Sequence, residues 1–187
     1  QQVKDGFDVV MKGQSQSSTI AGMTMTALAD EGVPSDKVSF VLTGDPNLPN
    51  GGLFERADGL YLPSLGITFN GATPSDLYPT TIYTQEYDGF ADVCQYPINA
   101  LCDLNSILGI LYVHPIYSTA LTAEQLLPVD EGGEAIKLPT VPPDTTTTYY
   151  MIPTADLPLL DPLRALPVVG NPLADLLQPD LEVLVNL

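Results

Sequence analysis

One histidine and two cysteines are all that the 187 residues offer of the imidazole and thiolate ligands that zinc prefers. With no Cys-x-x-Cys and no pair of histidines, the spacing that builds a zinc site is missing. Glycine-rich phosphate loops are missing too, so the chain is expected to work without a metal or a cofactor. Positive charge is scarce: six Lys and Arg stand against 23 Asp and Glu, a formal net charge of −17. Nucleic acid selects basic surfaces and is excluded as a partner. Docking to anionic lipid by charge alone is excluded for the same reason. The acidic residues are spread along the chain and read as a solvated, solubilising surface.

Long apolar runs are also lacking. None approaches the roughly 18 residues of a membrane span. The longest, residues 107–113, is broken by Gly109 and reads as a buried helix end. No signal peptide is visible and the first residue is Gln, so processing or truncation upstream is expected.

Apolar residues make up 44% of the chain, a globular proportion that suffices for one domain or most of one. Cys94 and Cys102 are eight positions apart. A disulfide fits if the protein is exported, and two buried free thiols fit equally well.

Hydrophobic patterning alternates strand and helix through the first two-thirds. Residues 8–12 read as a buried strand and 16–30 as a helix stopped by Gly32, with Gly22 an oddity inside it. Residues 37–43 form a second strand, ending at Gly44-Asp45-Pro46. A stretch rich in Gly, Pro and Asn, 47–79, reads as loop. Residues 80–87 are β-branched and aromatic and form a third strand. Residues 88–96 are loop and 97–111 a helix with proline near its first turn.

This order predicts an α/β fold with a mostly parallel central sheet. Such sheets gather their chemistry at the carboxyl ends of the strands. Gly13-Gln14-Ser15, Gly44-Asp45 and the turn from Asp88 to Asp92 all fall there. The chain divides into a sheet-and-helix core, 1–121, and a segment rich in Pro and Leu, 122–187, whose prolines include Pro142 and Pro143. One strand is expected within 145–154, while 157–177 is too interrupted for a single helix. The segment serves either as an acyl-binding wall or lid, or as a wrap that completes the core.

Gly13-x-Ser15-x-Ser17, with a strand before it and a helix after it, has the layout of a nucleophile elbow. A serine hydroxyl attacks only when a base takes its proton, and the base needs a carboxylate to fix its tautomer. The chain order Ser…Asp…His is that of the α/β-hydrolase triad. Ser15 is the candidate nucleophile, and the backbone N–H of Gln16 the first oxyanion donor. His114, just before Pro115, is the one available base. Asp92 is the preferred acid, Asp88 the runner-up and Asp45 a third choice. A serine-capped helix start with a core histidine would be the alternative without catalysis.

Four segments carry a family resemblance. They are Gly13-Gln-Ser-Gln-Ser17, Gly44-Asp-Pro-Asn47, Glu86-Tyr-Asp-Gly-Phe-Ala-Asp92 and Tyr112-Val-His-Pro-Ile-Tyr117. Together with the tail Leu157-Pro-Leu-Leu-Asp-Pro-Leu-Arg164 and Gly170-Asn-Pro-Leu-Ala-Asp175, they resemble the mycobacterial PE-PPE domain. The resemblance implies a cutinase-like α/β-hydrolase fold, with Ser15, Asp92 and His114 as triad. It also implies that residues 1–187 are the C-terminal major part of the domain, with earlier strands and the second oxyanion donor lying upstream.

Its members resemble esterases, and some look like acyltransferases that move fatty acyl groups between trehalose glycolipids. The expected substrate is therefore a lipid or other acyl ester, with a trehalose glycolipid as the alternative acceptor. The expected setting is outside the cytoplasm, in the cell envelope or beyond it, with peripheral envelope association. A non-catalytic envelope module is the remaining reading.

Overall fold

The computed structural model of the chain describes residues 2–3, 5–64, 66–140 and 145–187. Pro142 and Pro143 lie outside the described residues. In chain order the elements are β1 (Val9–Gln14), α1 (Gln16–Asp30), β2 (Val38–Thr43), β3 (Tyr61–Leu62), β4 (Ile67–Thr68) and β5 (Thr80–Gln85). They continue with α2 (Ala100–Tyr112), α3 (Ala123–Leu126), β6 (Ile136–Lys137), β7 (Thr147–Ile152), α4 (Asp161–Arg164) and α5 (Gly170–Val185).

Among the described residues the central sheet runs β1-β2-β5-β7-β6. The pairs β1–β2, β2–β5 and β5–β7 are parallel, and the short β6 joins β7 antiparallel. The α/β class and the mostly parallel sheet match the reading of the sequence. Residues 122–187 contribute β6 and β7, so the proline-rich segment is part of the sheet rather than only a cover.

Among the described residues, two apolar cores hold the layers together. In the first, Ala21 and Met25 of α1 pack on Val38, Phe40 and Leu42 of β2, with Tyr78 and Ile82 alongside. The second gathers Tyr87, Leu157, Leu160, Ala174 and Val185, with Leu101 of α2 packed against it. Each large side chain so buried contributes about 1.5–3 kcal/mol.

Local chemistry explains where the elements begin and end. Helix α1 occupies the predicted residues and stops as expected, with Gly32 at φ +72 and its N–H bonded to Ala29 O. Gly22 has its reason in packing: a β-carbon there would stand 3.2 Å from Thr73 Oγ1 of the loop crossing α1. Helix α2 begins later than predicted because Asn99 caps it, accepting the Cys102 N–H at 3.1 Å. Pro97 therefore lies ahead of the cap.

Strand β5 ends two residues early because Tyr87 takes φ +66 and turns the chain away from the sheet. The stretch 47–79, read as loop, also holds the small β3–β4 hairpin. The expected strand in 145–154 is β7. Residues 157–177 are indeed not one helix, but α5 runs on unbroken from Gly170 past Pro179. Pro172 sits in its first turn, where a missing N–H costs nothing. Arg164 fastens this tail through Asp156 at 2.8 Å and Asp175 at 2.6 Å.

Candidate active site

Parallel pairing brings the ends of β1, β2 and β5 together, with Gln14 opposite Thr43 and the Gly44 N–H bonded to Tyr83 O. The turn after β1 is the tightest feature there. Ser15 adopts φ 54 and ψ −124, a conformation that costs a non-glycine residue on the order of 1–3 kcal/mol. Several bonds hold it. The Ser15 N–H donates to Thr43 O at 3.0 Å, and the Ser18 N–H to Ser15 O at 2.8 Å.

Ser17 closes the turn with its own hydroxyl, which accepts the Gln14 N–H and donates to Gln14 O, both at 2.7 Å. A side chain at this position is therefore part of the elbow. Gly13 has no such latitude: a β-carbon there would lie 2.9 Å from Ser17 O and from the Ser18 backbone. Gln16 opens α1, so its N–H belongs to the helix turn that has no intrahelical acceptor.

Helix α2 delivers the histidine. It ends at Tyr112, and the chain tightens into a 3-10 turn, His114–Ile116, with Pro115 in its first positions. Backbone-to-backbone packing sets where that turn lies. A β-carbon on Gly89 would overlap the Ser106 carbonyl, and one on Gly109 would overlap the Tyr87 carbonyl. These two glycines let α2 lie directly on the 87–89 turn.

Ser15, His114 and Asp88 consequently form one hydrogen-bonded chain. Asp88 is fully buried, and its oxygens lie 2.8 and 2.9 Å from His114 Nδ1. A carboxylate only accepts, so Nδ1 carries the proton. Nε2 is then an acceptor, and the Ser15 hydroxyl donates to it at 2.6 Å. Asp88 Oδ1 also accepts the Phe90 N–H at 2.9 Å and the Ala91 N–H at 3.4 Å. Phe90 lays its ring edge-on to the imidazole, centroids 4.7 Å apart.

The structure brings Asp88, the runner-up, to His114 and does not bring Asp92, the acid expected from the sequence. Asp92 faces away from His114: its carboxylate accepts the Tyr87 N–H at 2.8 Å and so closes the turn that presents Asp88. It borders a cavity of about 320 Å³ that neither Ser15 nor His114 lines. Burial pushes the Asp92 carboxyl up to about 6, and the charges of Glu86 and Asp88 add to the shift.

Asp45, the third choice, also stays out of the chain of contacts. It accepts from Thr73 Oγ1 at 2.7 Å and from the Asn47 N–H at 3.1 Å. Burial raises its carboxyl to about 6 as well, against those two bonds. Asn47 extends this polar cluster, accepting from Thr19 at 2.7 Å and donating to Gly71 O at 2.6 Å.

Cys94 and Cys102 are joined in a disulfide that ties the end of the 88–94 loop to the first turn of α2. Arg56 reinforces the same loop through the carbonyls of Cys94 and Val93. Among the described residues no cluster of His, Cys, Asp and Glu has a metal-binding arrangement. Among the same residues no helix is long and apolar enough to cross a membrane.

Sequence reasoning missed Gly89, Gly109, Phe90 and Tyr117. The glycines carried a readable signal, since one stands beside the acid and the other lies within a helix. The two aromatic residues stand in segments that carry the family resemblance, beside Asp88 and His114, but their residue types alone gave them no role in the site.

An α/β protein with an elbow serine hydrogen-bonded to a histidine is the class that fold and site define. The chain belongs to the PE-PPE domain family, whose sequence profile matches residues 1–187. Over its whole length it is 52% identical to "Esterase PE16" of Mycobacterium tuberculosis and spans 34% of that protein. With "Diacyltrehalose acyltransferase Chp2" of the same organism it shares 30% identity, over 82% of this chain and 44% of the relative. "SL1278 acyltransferase Chp1", also of that organism, is 31% identical over 81% of this chain and 36% of its own length. The chain thus spans less than half of each of these relatives. No solved structure matches it.

Proposed function

We propose that the chain carries the catalytic part of a serine esterase of cutinase-like α/β-hydrolase type, acting on acyl esters of envelope lipids. The observation that supports this most is the contact series Ser15 Oγ to His114 Nε2 at 2.6 Å and His114 Nδ1 to Asp88 at 2.8 Å. The family's inclusion of a named esterase and of named acyltransferases supports the same reading.

In this reading Ser15 Oγ attacks the ester carbonyl carbon while its proton passes to Nε2. The Gln16 N–H, at the positive end of α1, donates to the oxyanion that develops. Asp88 balances the imidazolium for as long as it exists. Nε2 then gives its proton to the departing alcohol oxygen, leaving the acyl group esterified to Ser15. Water, activated by the same nitrogen, releases the acid and restores the enzyme.

A second reading differs only in the acceptor. If a sugar hydroxyl of a trehalose glycolipid takes the place of water, the protein is an acyltransferase, as the names of two relatives put it for those proteins. Either activity belongs in an exported protein of the mycobacterial envelope.

The test is product analysis with p-nitrophenyl esters of graded chain length, with and without a trehalose glycolipid acceptor. Free acid with turnover lost in Ser15→Ala supports the esterase. Acyl glycolipid appearing at the expense of free acid supports the transferase. No turnover with any acyl ester from folded protein moves the chain to a non-catalytic envelope module.

A further inference from the structure

We infer that Tyr117 is a positioning residue of this site, a buried phenol that fixes Asp88 against His114. The inference rests on the serine-hydrolase reading above. Tyr117 is buried, and its hydroxyl lies 2.7 Å from Asp88 Oδ2 and 2.8 Å from the Gln85 backbone nitrogen. The direction of both bonds is determined. The Gln85 N–H can only donate, so the phenol oxygen accepts it, and the one phenol hydrogen is left for the carboxylate.

Sequence spacing makes this geometry. Tyr117 follows His114 by three positions across a 3-10 turn, a spacing at which side chains eclipse. One turn therefore sends two side chains to one carboxylate, their rings 6.0 Å apart and edge to face. The strand end makes room for the phenol. Gly44 takes φ +55, and a β-carbon on it would stand 2.8 Å from Tyr117 Cε2 and 3.2 Å from Asp88 Oδ2. A larger residue at 44 would displace the ring or the acid.

The consequence is a carboxylate with no freedom to turn. Its Oδ1 is held by the Phe90 and Ala91 N–H groups, and its Oδ2 by Tyr117, so both oxygens face Nδ1. The phenol stays protonated throughout, since burial and the neighbouring charge of Asp88 keep it well above the usual tyrosine range. By donating to Asp88 it also withdraws charge from the carboxylate and sets how strongly the imidazolium is held. The other ionisable groups close by are Asp92 and Glu86 on the same turn; both stay unchanged when position 117 is varied.

The experiment compares Tyr117→Phe and 3-fluorotyrosine at 117 with the unaltered chain, with Ser15 titrated by a fluorophosphonate so that rates are per active site. Tyr117→Phe is expected to lower kcat about tenfold with KM unchanged. It is also expected to raise the acid limb of the pH profile by about half a unit, because an undonated carboxylate holds the imidazolium more tightly. The fluorinated phenol, a stronger donor of the same shape, is expected to move that limb the other way.

A Tyr117 that serves packing alone would lower the melting temperature and leave the limb in place in both variants, and that result overturns the inference. The two readings fail separately. Ser15 labelled equally fast in all three proteins overturns the role of Tyr117 and leaves the hydrolase standing. Ser15 unlabelled in the unaltered, folded chain overturns the hydrolase itself.

Discussion

Gly109 of α2 lies so close to the Tyr87 carbonyl that a β-carbon on it would overlap the oxygen. This contact ties together the segments that carry Asp88 and His114, because Tyr87 precedes Asp88 and α2 ends just before His114. Gly109→Ala must push the helix off the turn and carry His114 away from Asp88. The expected loss is about 3 kcal/mol of stability, as for overpacking in a core. A shift of even 1 Å at His114 is expected to lower kcat by about 100-fold. Gly132→Ala is the control: its φ is +85 but nothing lies within 4 Å, so only a modest melting shift and full kcat are expected.

Asp88→Asn and Asp92→Asn separate the two acids. An amide at 88 presents the wrong partner to Nδ1, and kcat is expected to fall by about 10⁴-fold. An amide at 92 still offers an oxygen to the Tyr87 N–H, so kcat is expected to stay within the same order of magnitude. Steady-state kinetics on a soluble ester checks both.

Among the described residues, two carboxyls dominate a pH dependence of stability that runs in an unusual direction. Asp45 and Asp92 are both raised from 3.8 to about 6 in the folded chain, chiefly by burial. Between pH 4 and 6 the folded state thus binds protons that the unfolded state has lost, and stability falls as pH rises through that window. Each group is expected to contribute on the order of 2–3 kcal/mol of this dependence. Urea midpoints at pH 4.5 and 7 are expected to converge in the Asp45→Asn, Asp92→Asn double variant. An unchanged difference would contradict the assignment.

The Cys94–Cys102 bond closes a short loop, with a sequence separation of eight. In the chain-entropy account such a bridge contributes about 2–3 kcal/mol. Replacing both cysteines by serine is expected to lower the melting temperature accordingly. Reduction of the native protein is expected to reproduce that shift, and calorimetry with and without reductant checks it.

Much of this was legible in the sequence for identifiable reasons. Helix α1 was bounded by a glycine with a left-handed φ and by a serine elbow, both strong local signals. Strands β2 and β5 were β-branched runs, and their carboxyl ends converge as parallel pairing requires.

Which carboxylate contacts His114 was not legible, because Asp88 and Asp92 occupy a single turn and only its backbone course decides which one meets the ring. Tyr87 at φ +66 makes that decision, and a left-handed tyrosine leaves no mark in composition. Tyr117 was hidden for a similar reason: its role depends on a 3-10 turn rather than the α-helical spacing that patterning detects. Helix α5 was obscured by the prolines of 157–177; of these only Pro172 falls within it, in its first turn, where a missing N–H costs nothing.

Labelling with a fluorophosphonate, followed by peptide mass spectrometry, shows whether Ser15 is an activated nucleophile. The expected result is one adduct, on Ser15, absent in Ser15→Ala and at least about 10³-fold slower to form in His114→Ala. Folded protein that takes up no probe, or takes it up equally well in His114→Ala, would mean that Ser15 is not activated by His114.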